Sequence, residues 1–250
     1  MKKFNLGLCS VSFRDQTPEE ILKAAQKAGL SCIEWGSDVH APCKNAEKLK
    51  EIASLQNEYG IKCSSYGTYF YLMRDSLDEL TAYINAAKIL GTSVLRLWCG
   101  EKGSASVSSS EKEALFEECK KAARLAESEG VTLCMECHNG TFADTADSSI
   151  ELMQAVNSPN FRMYWQHDVH LSDEVSIDIA KKLSPYTVNI HVFYWKNLKP
   201  HPLSEGAEIW KRYLAEFSGE KNLLLEFMPD GKFETLFPQA KALKDIADSI

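Results

Sequence analysis

Leu125-Ala126-Glu127-Ser128-Glu129-Gly130 followed by Val131-Thr132-Leu133-Cys134-Met135-Glu136 reads as the end of an amphipathic helix, a breaker and a short apolar strand. Gly130 suits the break because glycine enters the left-handed conformation without a Cβ clash. The same phrase recurs along the chain. Ala24-Ala25-Gln26-Lys27-Ala28-Gly29 precedes Leu30–Trp35, Leu55–Gly60 precedes Ile61–Tyr66, and Ala86–Gly91 precedes Thr92–Trp98. Further strands are expected at 4–9, 161–166, 187–192 and 222–227. Helices fit near 18–28, 46–59, 76–90, 111–129, 148–156, 174–183, 205–217 and 234–248. Strands and helices thus alternate at the spacing of about 30 residues that βαβ units require.

Such alternation implies a parallel sheet with right-handed crossovers. Eight units in 250 residues match the size of a closed (β/α)8 TIM barrel, an α/β fold, and residues 1–250 read as one domain. An open doubly wound sheet is the structural competitor. The segment Leu8-Cys9-Ser10-Val11-Ser12-Phe13 after the first strand, however, lacks the glycines of a phosphate loop. No linker divides the chain, and the serine-rich run Ser104–Ser110 reads as an exposed loop ending in a helix cap.

Composition narrows the function classes. Lys and Arg number 28 against 35 Asp and Glu, a net charge of -7 that opposes general nucleic-acid binding. No apolar run is long enough to cross a membrane. The start Met1-Lys2-Lys3-Phe4-Asn5-Leu6 lacks a signal-peptide pattern, and the eight scattered cysteines read as reduced thiols. A cytoplasmic protein is therefore expected. Cys134 and Cys137 form a C-x-x-C, but within a strand residues three apart point to opposite faces, so the motif reads as chance.

The strand faces carry the chemistry. In the fifth strand Val131, Leu133 and Met135 share one face, while Thr132, Cys134, Glu136 and His138 share the other. In the seventh, Val188, Ile190 and Val192 alternate with Asn189 and His191. In the eighth, Leu223, Leu225 and Phe227 alternate with Asn222, Leu224 and Glu226. The apolar set packs under the helices, so Glu136, His191 and Glu226 point into the barrel at its carboxyl end, where barrel enzymes carry their sites. Carboxylates buried close together repel unless a cation compensates them. Two Glu oxygens and an imidazole nitrogen suit a divalent metal ion, with Mn, Zn, Co and Mg all open.

The sixth strand, with Arg162, Tyr164 and Gln166 on one face followed by His167-Asp168-Val169-His170, should complete the set. Gln166 or Asp168 would be the fourth ligand, depending on where the strand stops. Other expected mouth residues suit a polyol: His138 and His170, Arg96 and Trp98 on the fourth strand, Glu34 on the second, Asp38 and His40 on its loop, and Tyr66 on the third. Arg96 could equally neutralise Glu34 or Glu136, and Trp98 and Tyr66 could equally be core. Lys196, Lys199 and His201 could meet a phosphate or simply face solvent.

These residues resemble the xylose isomerase-like TIM barrels across essentially the whole chain. The resemblance rests on the helix-Gly opening with Ile33-Glu34-Trp35, on Leu133-Cys134-Met135-Glu136-Cys137-His138, on Ile190-His191-Val192 and on Leu225-Glu226-Phe227. That family comprises sugar phosphate isomerases and epimerases, ketose 3-epimerases, inosose dehydratases and endonuclease-IV-like proteins. The resemblance implies four metal ligands: Glu136, an acidic position on strand six, His191 and Glu226. The family usually has Asp there with His three residues later; here Gln166 stands in the first place, and His170 follows Asp168 by only two.

By that resemblance the protein is expected to be a metal-dependent sugar or sugar phosphate isomerase or epimerase. Proton abstraction beside a carbonyl would pass through an enediolate, with Glu136 and Glu226 as base and acid. A small-molecule substrate is expected, with no nucleic acid or membrane partner, and a homo-oligomer is compatible. The alternatives are an inosose-type dehydratase, an abasic-site phosphodiesterase and a non-catalytic sugar-binding barrel. The six histidines are few for the multi-zinc cluster that the phosphodiesterase branch uses.

Overall fold

The computed structural model describes residues 3–250; Met1 and Lys2, part of the amino-terminal stretch read above, lie outside the described residues. Eight parallel strands close a barrel: β1 (Lys3–Cys9), β2 (Cys32–Gly36), β3 (Lys62–Leu72), β4 (Val94–Cys99), β5 (Thr132–Glu136), β6 (Phe161–Trp165), β7 (Thr187–Val192) and β8 (Glu220–Leu225). Each pairs with its neighbours in chain order, and β1 closes the ring by pairing with both β2 and β8. The helices are α1 (Pro18–Lys27), α2 (Ala46–Tyr59), α3 (Leu77–Leu90), α4 (Ser109–Glu129), α5 (Ala146–Val156), α6 (Asp173–Leu183), α7 (Ala207–Ala215) and α8 (Phe233–Asp248).

The helix boundaries follow local chemistry. Thr17 with Glu20, Ser76 with Glu79 and Ser108 with Glu111 form reciprocal capping boxes, so two orphan N–H groups are satisfied at each start. Ser108 thereby ends the serine-rich run in a cap, as its composition suggests. At the other end of α4, Gly130 takes φ 69° and returns its N–H to Ala126 and Glu127.

The alternation expected of the strands is present except at Val188. That residue, expected outward with Ile190 and Val192, packs against the interior cluster, where β7 shifts its register. Leu133, Met135, Met163, Trp165, Ile190, Val192, Leu223 and Leu225 are buried in the layer between sheet and helices. Cys9, Cys32, Cys134, Tyr164 and Leu224 pack together in a separate interior cluster. Cys134 and Cys137 thus fall on opposite sides of the sheet, and all eight cysteines are free.

Several features depart from simple alternation. The pairing of β2 with β3 jumps between Ile33 and Glu34, so that Glu34 stands opposite Ser65. The pairing of β6 with β7 jumps between Met163 and Tyr164, which sets Tyr164 opposite Asn189. Bulges of this kind re-aim side chains beside sites. Beyond β7, Trp195–Lys196 and Lys199–Pro200 form a small antiparallel ribbon, turned by Asn197 and Leu198 at positive φ. Beyond β8, Phe227 leaves the strand at φ 55° and is half exposed rather than joining the outward-facing apolar set.

Candidate metal centre

The carboxyl ends of β2, β4, β5 and β7, and the residue just past β8, bring five ionisable side chains together: Glu34, Arg96, Glu136, His191 and Glu226. All are buried, with His191 fully enclosed. The imidazole stands between two sets of carboxylates. Its Nδ1 lies 3.2 Å from Glu136 Oε1 and 3.4 Å from Glu226 Oε2, and its Nε2 lies 3.3 Å from Glu34 Oε1. Arg96 Nη1 donates to Glu136 Oε2 at 2.9 Å, and its Nε lies 3.7 Å from Glu34 Oε1. Close approach on this side is permitted by Gly67 on β3. A Cβ there would come within 2.8 Å of Glu34 Oε1 and 3.1 Å of Arg96 Nη2.

The electrostatics divide the carboxylates. Burial opposes ionisation of Glu136, but Arg96 and His191 outweigh it and hold its pKa below the usual range. For Glu34 the same balance, with His191 first among the stabilising neighbours, also comes out low. Glu226 is the exception: burial, with repulsion from Glu136 and Glu34, raises its pKa despite His191 and Arg96. Burial opposes the charge of His191, yet Cys9, Glu226 and Glu34 around it raise its pKa well above the ordinary value. A bound cation would supply the positive charge that the crowded carboxylates otherwise draw from Arg96 and His191.

The donor set fits a divalent ion on one side of the ring. His191 Nδ1 and Glu226 Oε2 are both buried and lack hydrogen-bond partners. Ligand atoms sharing a metal at about 2.0–2.2 Å stand roughly 3–3.6 Å apart, which is the spacing of Glu136 Oε1 and of Glu226 Oε2 from Nδ1. The three ligand atoms that all lie within 4.8 Å of one another among the described residues are instead those of Cys9, Glu34 and His191, so Glu136 and Glu226 would close toward each other on sharing an ion. In that trio the Glu34 oxygens are already engaged, by Ser65 Oγ at 2.9 Å and Tyr164 OH at 2.6 Å as well as by the ring.

Neither candidate for the strand-six ligand touches this cluster through a hydrogen bond or ion pair among the described residues. Gln166 donates from Nε2 to Cys137 O at 3.1 Å, while its Oε1 is buried and unpartnered. Asp168 accepts the His170 N–H at 2.8 Å and so closes its own loop. Both line a cavity of about 230 Å³ over the ends of β5 to β8, together with His138, His167, Trp195 and Phe227. Its lining also includes Trp165 and the α6 residues Ser176, Ile179 and Leu183 but none of Glu34, Arg96, Glu136, His191 and Glu226, so it opens toward the layer between sheet and helices.

The remaining expected residues are dispersed. Trp98 is at the mouth, its ring 4.6 Å from the Arg96 guanidinium and 5.7 Å from His138, with Tyr69 and Tyr71 beside it. His138 and His170 are exposed. His40 is buried, its Nδ1 3.0 Å from Ser10 Oγ, and burial lowers its pKa. Tyr66 lies in the layer under α3 beside Tyr83 and gives its hydroxyl to Ala41 O. Asp38 pairs with Arg14. Lys196 and Lys199 are exposed on the ribbon, and His201 meets Glu205.

Cys9, Ser65, Tyr164 and His167 belong to the site's surroundings without having been singled out for it. A count of β1 parity, which sets Asn5, Gly7 and Cys9 on one face, would have found Cys9. His167 is no surface residue: its ring packs against Phe193, Trp210 and Tyr213, and burial pushes its pKa down to about 4.

A family model described as xylose isomerase-like TIM barrel matches residues 22–192. The chain belongs to that family. A curated 3-dehydroshikimate dehydratase of Bacillus anthracis is 26% identical over 212 residues, covering 77% of this barrel and 71% of the relative. Among solved structures, the probable 3-DHS dehydratase AsbF of Bacillus anthracis superposes with a TM-score of 0.78 at 20% identity, over 98% of this chain and 99% of that one. The IolI protein, solved with a zinc atom, gives a TM-score of 0.77 at 15% identity over 98% of each chain. At such identities these two structures establish the fold, which xylose isomerase-like barrels share. No described helix of this one is long and apolar enough to cross a membrane.

Proposed function

We propose that this barrel is a divalent-metal-dependent enzyme that removes a proton beside the carbonyl of a small polyhydroxylated ketone, and that isomerisation or epimerisation is the outcome. The observation that carries the reading is the pair of unpartnered buried atoms, His191 Nδ1 and Glu226 Oε2, 3.4 Å apart, with Glu136 Oε1 3.2 Å from the same Nδ1. Glu136, His191 and Glu226 would hold the ion, with Gln166 or Asp168 as the candidate fourth ligand. A divalent ion held there would polarise the carbonyl and acidify the adjacent C–H.

The chain's own groups divide the remaining work. Glu226, which would hold the ion through one carboxylate oxygen, can offer the other as a proton carrier. Glu136, held ionised by Arg96, suits the opposite face of the substrate. Trp98 offers an aromatic wall to sugar C–H groups, and His138 and Gln166 offer polar contacts at the rim.

A second reading, dehydration, has its own support. Glu136 Oε2 is tied to Arg96 at 2.9 Å, which leaves Glu226 as the carboxylate with a free oxygen. One such group can take the proton and hand it to a departing β-hydroxyl, and the 26% identical relative is a dehydratase.

Both readings are tested by NMR of solvent deuterium incorporation across ketoses, inososes and ketose phosphates, with Mn²⁺, Mg²⁺ or Co²⁺ added. Exchange with one of these substrates, lost in Glu226→Gln, is expected. Full exchange in Glu226→Gln would remove Glu226 from the mechanism, and loss of water from the substrate would select dehydration.

A further inference from the structure

A neutral imidazole carries one N–H and one lone pair, so whatever fixes the proton on one nitrogen selects the other as the ligating atom. In His191 the two nitrogens face different company. Nδ1 faces Glu136 and Glu226, while Nε2 faces Glu34 at 3.3 Å. Glu34 is no mobile carboxylate. Its Oε2 accepts Ser65 Oγ–H at 2.9 Å and Tyr164 O–H at 2.6 Å.

The support continues down the barrel axis. Tyr164 accepts from Asn189 Nδ2 at 2.5 Å, Asn189 Oδ1 accepts from Asn222 Nδ2 at 2.9 Å, and Asn222 Oδ1 accepts from Asn5 Nδ2 at 3.1 Å. Every donor in this column points toward Glu34, whose Oε2 must therefore accept. An ionised carboxylate then turns a second acceptor, Oε1, toward Nε2, whereas an amide would turn its N–H there.

We propose that Glu34 is a positioning residue, a carboxylate that takes the Nε2–H of His191 and so presents Nδ1 to a metal ion on the side of Glu136 and Glu226. This rests on the metal-centre reading above and adds to it a buried hydrogen-bonded column that holds the ligating histidine from behind. Partners of this kind fix the ring's tautomer and orientation, and their loss typically weakens metal binding about 10–100-fold. Glu34 contributes this without being a ligand itself. It follows that the Cys9 side of the ring is not the binding side, although Cys9, Glu34 and His191 are close together.

The test compares the full chain with Glu34→Gln and Tyr164→Phe, using chelator-competition titrations with Zn²⁺ and Co²⁺ and ¹⁵N NMR of the histidine rings in the zinc-loaded protein. For the parent chain we expect a proton on Nε2 and metal on Nδ1. For Glu34→Gln, whose amide N–H would confront Nε2 and favour the other tautomer, we expect a roughly 10–100-fold loss of affinity. Tyr164→Phe, which leaves Glu34 in place with one donor fewer, should lose less than about tenfold. A metal-bound Nε2, a cobalt–thiolate absorption band from Cys9, or a Tyr164→Phe affinity and ring spectrum unchanged beside a Glu34→Gln affinity within twofold of the parent would overturn the proposal. Failure of the parent chain to bind either ion would instead overturn the metal-centre reading itself. Circular dichroism of the metal-free variants separates loss of the tautomer from loss of the fold. If Glu34→Gln does not fold, Tyr164→Phe carries the test.

Discussion

The amino-terminal and carboxyl-terminal halves of the barrel interior are both polar, but in opposite senses. Toward the amino-terminal end, Asn5, Asn222 and Asn189 pass hydrogen bonds from one neutral amide to the next. Toward the carboxyl end, Glu34, Glu136 and Glu226 crowd around one histidine and one arginine, and His191 Nδ1, Arg96 Nε and Glu226 Oε2 remain buried without hydrogen-bond partners. A satisfied neutral network stabilises the fold and leaves nothing to react. A charged cluster with orphaned atoms costs stability, and the fold tolerates it where a ligand completes it. The difference separates structural polarity from functional polarity within a single barrel interior.

The sharpest way to break that contrast is Glu136→Ala. The substitution removes a proposed ligand and also the nearest partner of the buried Arg96, leaving only Glu34 at 3.7 Å. Metal affinity should fall by more than about 100-fold, and the metal-free protein should lose about 3–5 kcal/mol in urea unfolding, the usual cost of stranding a buried charge. A variant less than about 1 kcal/mol destabilised would mean that Arg96 is not held by Glu136.

Much of this arrangement can be read in the residues before any coordinates, and what cannot has identifiable causes. Gly60, Gly91 and Gly130 end helices where the helix-glycine-strand phrase requires it. Glu136, His191 and Glu226 emerge from strand parity because the period of two holds over the last residues of β5, β7 and β8, although β7 carries a register shift earlier, at 187–189. Parity fails where the pairing jumps. The shift at Ile33/Glu34 aligns Glu34 with Ser65 and leaves Tyr66 facing α3, so a mouth role expected for Tyr66 meets a residue enclosed beside Tyr83. The company of Glu34 is equally hidden, because Tyr164 and Asn189 meet it through a second register shift. The choice between Gln166 and Asp168 depends on the loop after β6, where no period applies. There one side chain hangs from Cys137 O and the other closes its own turn.

A smaller but more selective perturbation is Gly67→Ala. The new methyl would press on Glu34 Oε1 at 2.8 Å and Arg96 Nη2 at 3.1 Å, both held by buried partners that leave little room to give. Overpacking of this kind costs about 1–3 kcal/mol. Metal affinity should fall severalfold with it, because the shifted carboxylate no longer holds His191 in place. Thermal unfolding of the metal-free protein and chelator competition measure the two effects separately. An alanine variant with unchanged stability would show that the Glu34–Arg96 contact is looser than its distances imply.

The smallest effect is expected at the far end of the column, and it completes the comparison. Asn5 gives one N–H to Asn222 Oδ1 at 3.1 Å and another to Glu220 Oε1 at 2.8 Å, in a partly exposed position that water can reach. Asn5→Ala should therefore cost only about 1 kcal/mol, since solvent can replace the lost donor. Asn222 keeps its own bond to Asn189, so the links from Asn189 through Tyr164 to Glu34 stay intact. Metal affinity should remain within twofold of the parent. A larger loss would mean that the neutral half of the barrel transmits strain to the charged half, and that the two act as one hydrogen-bonded unit.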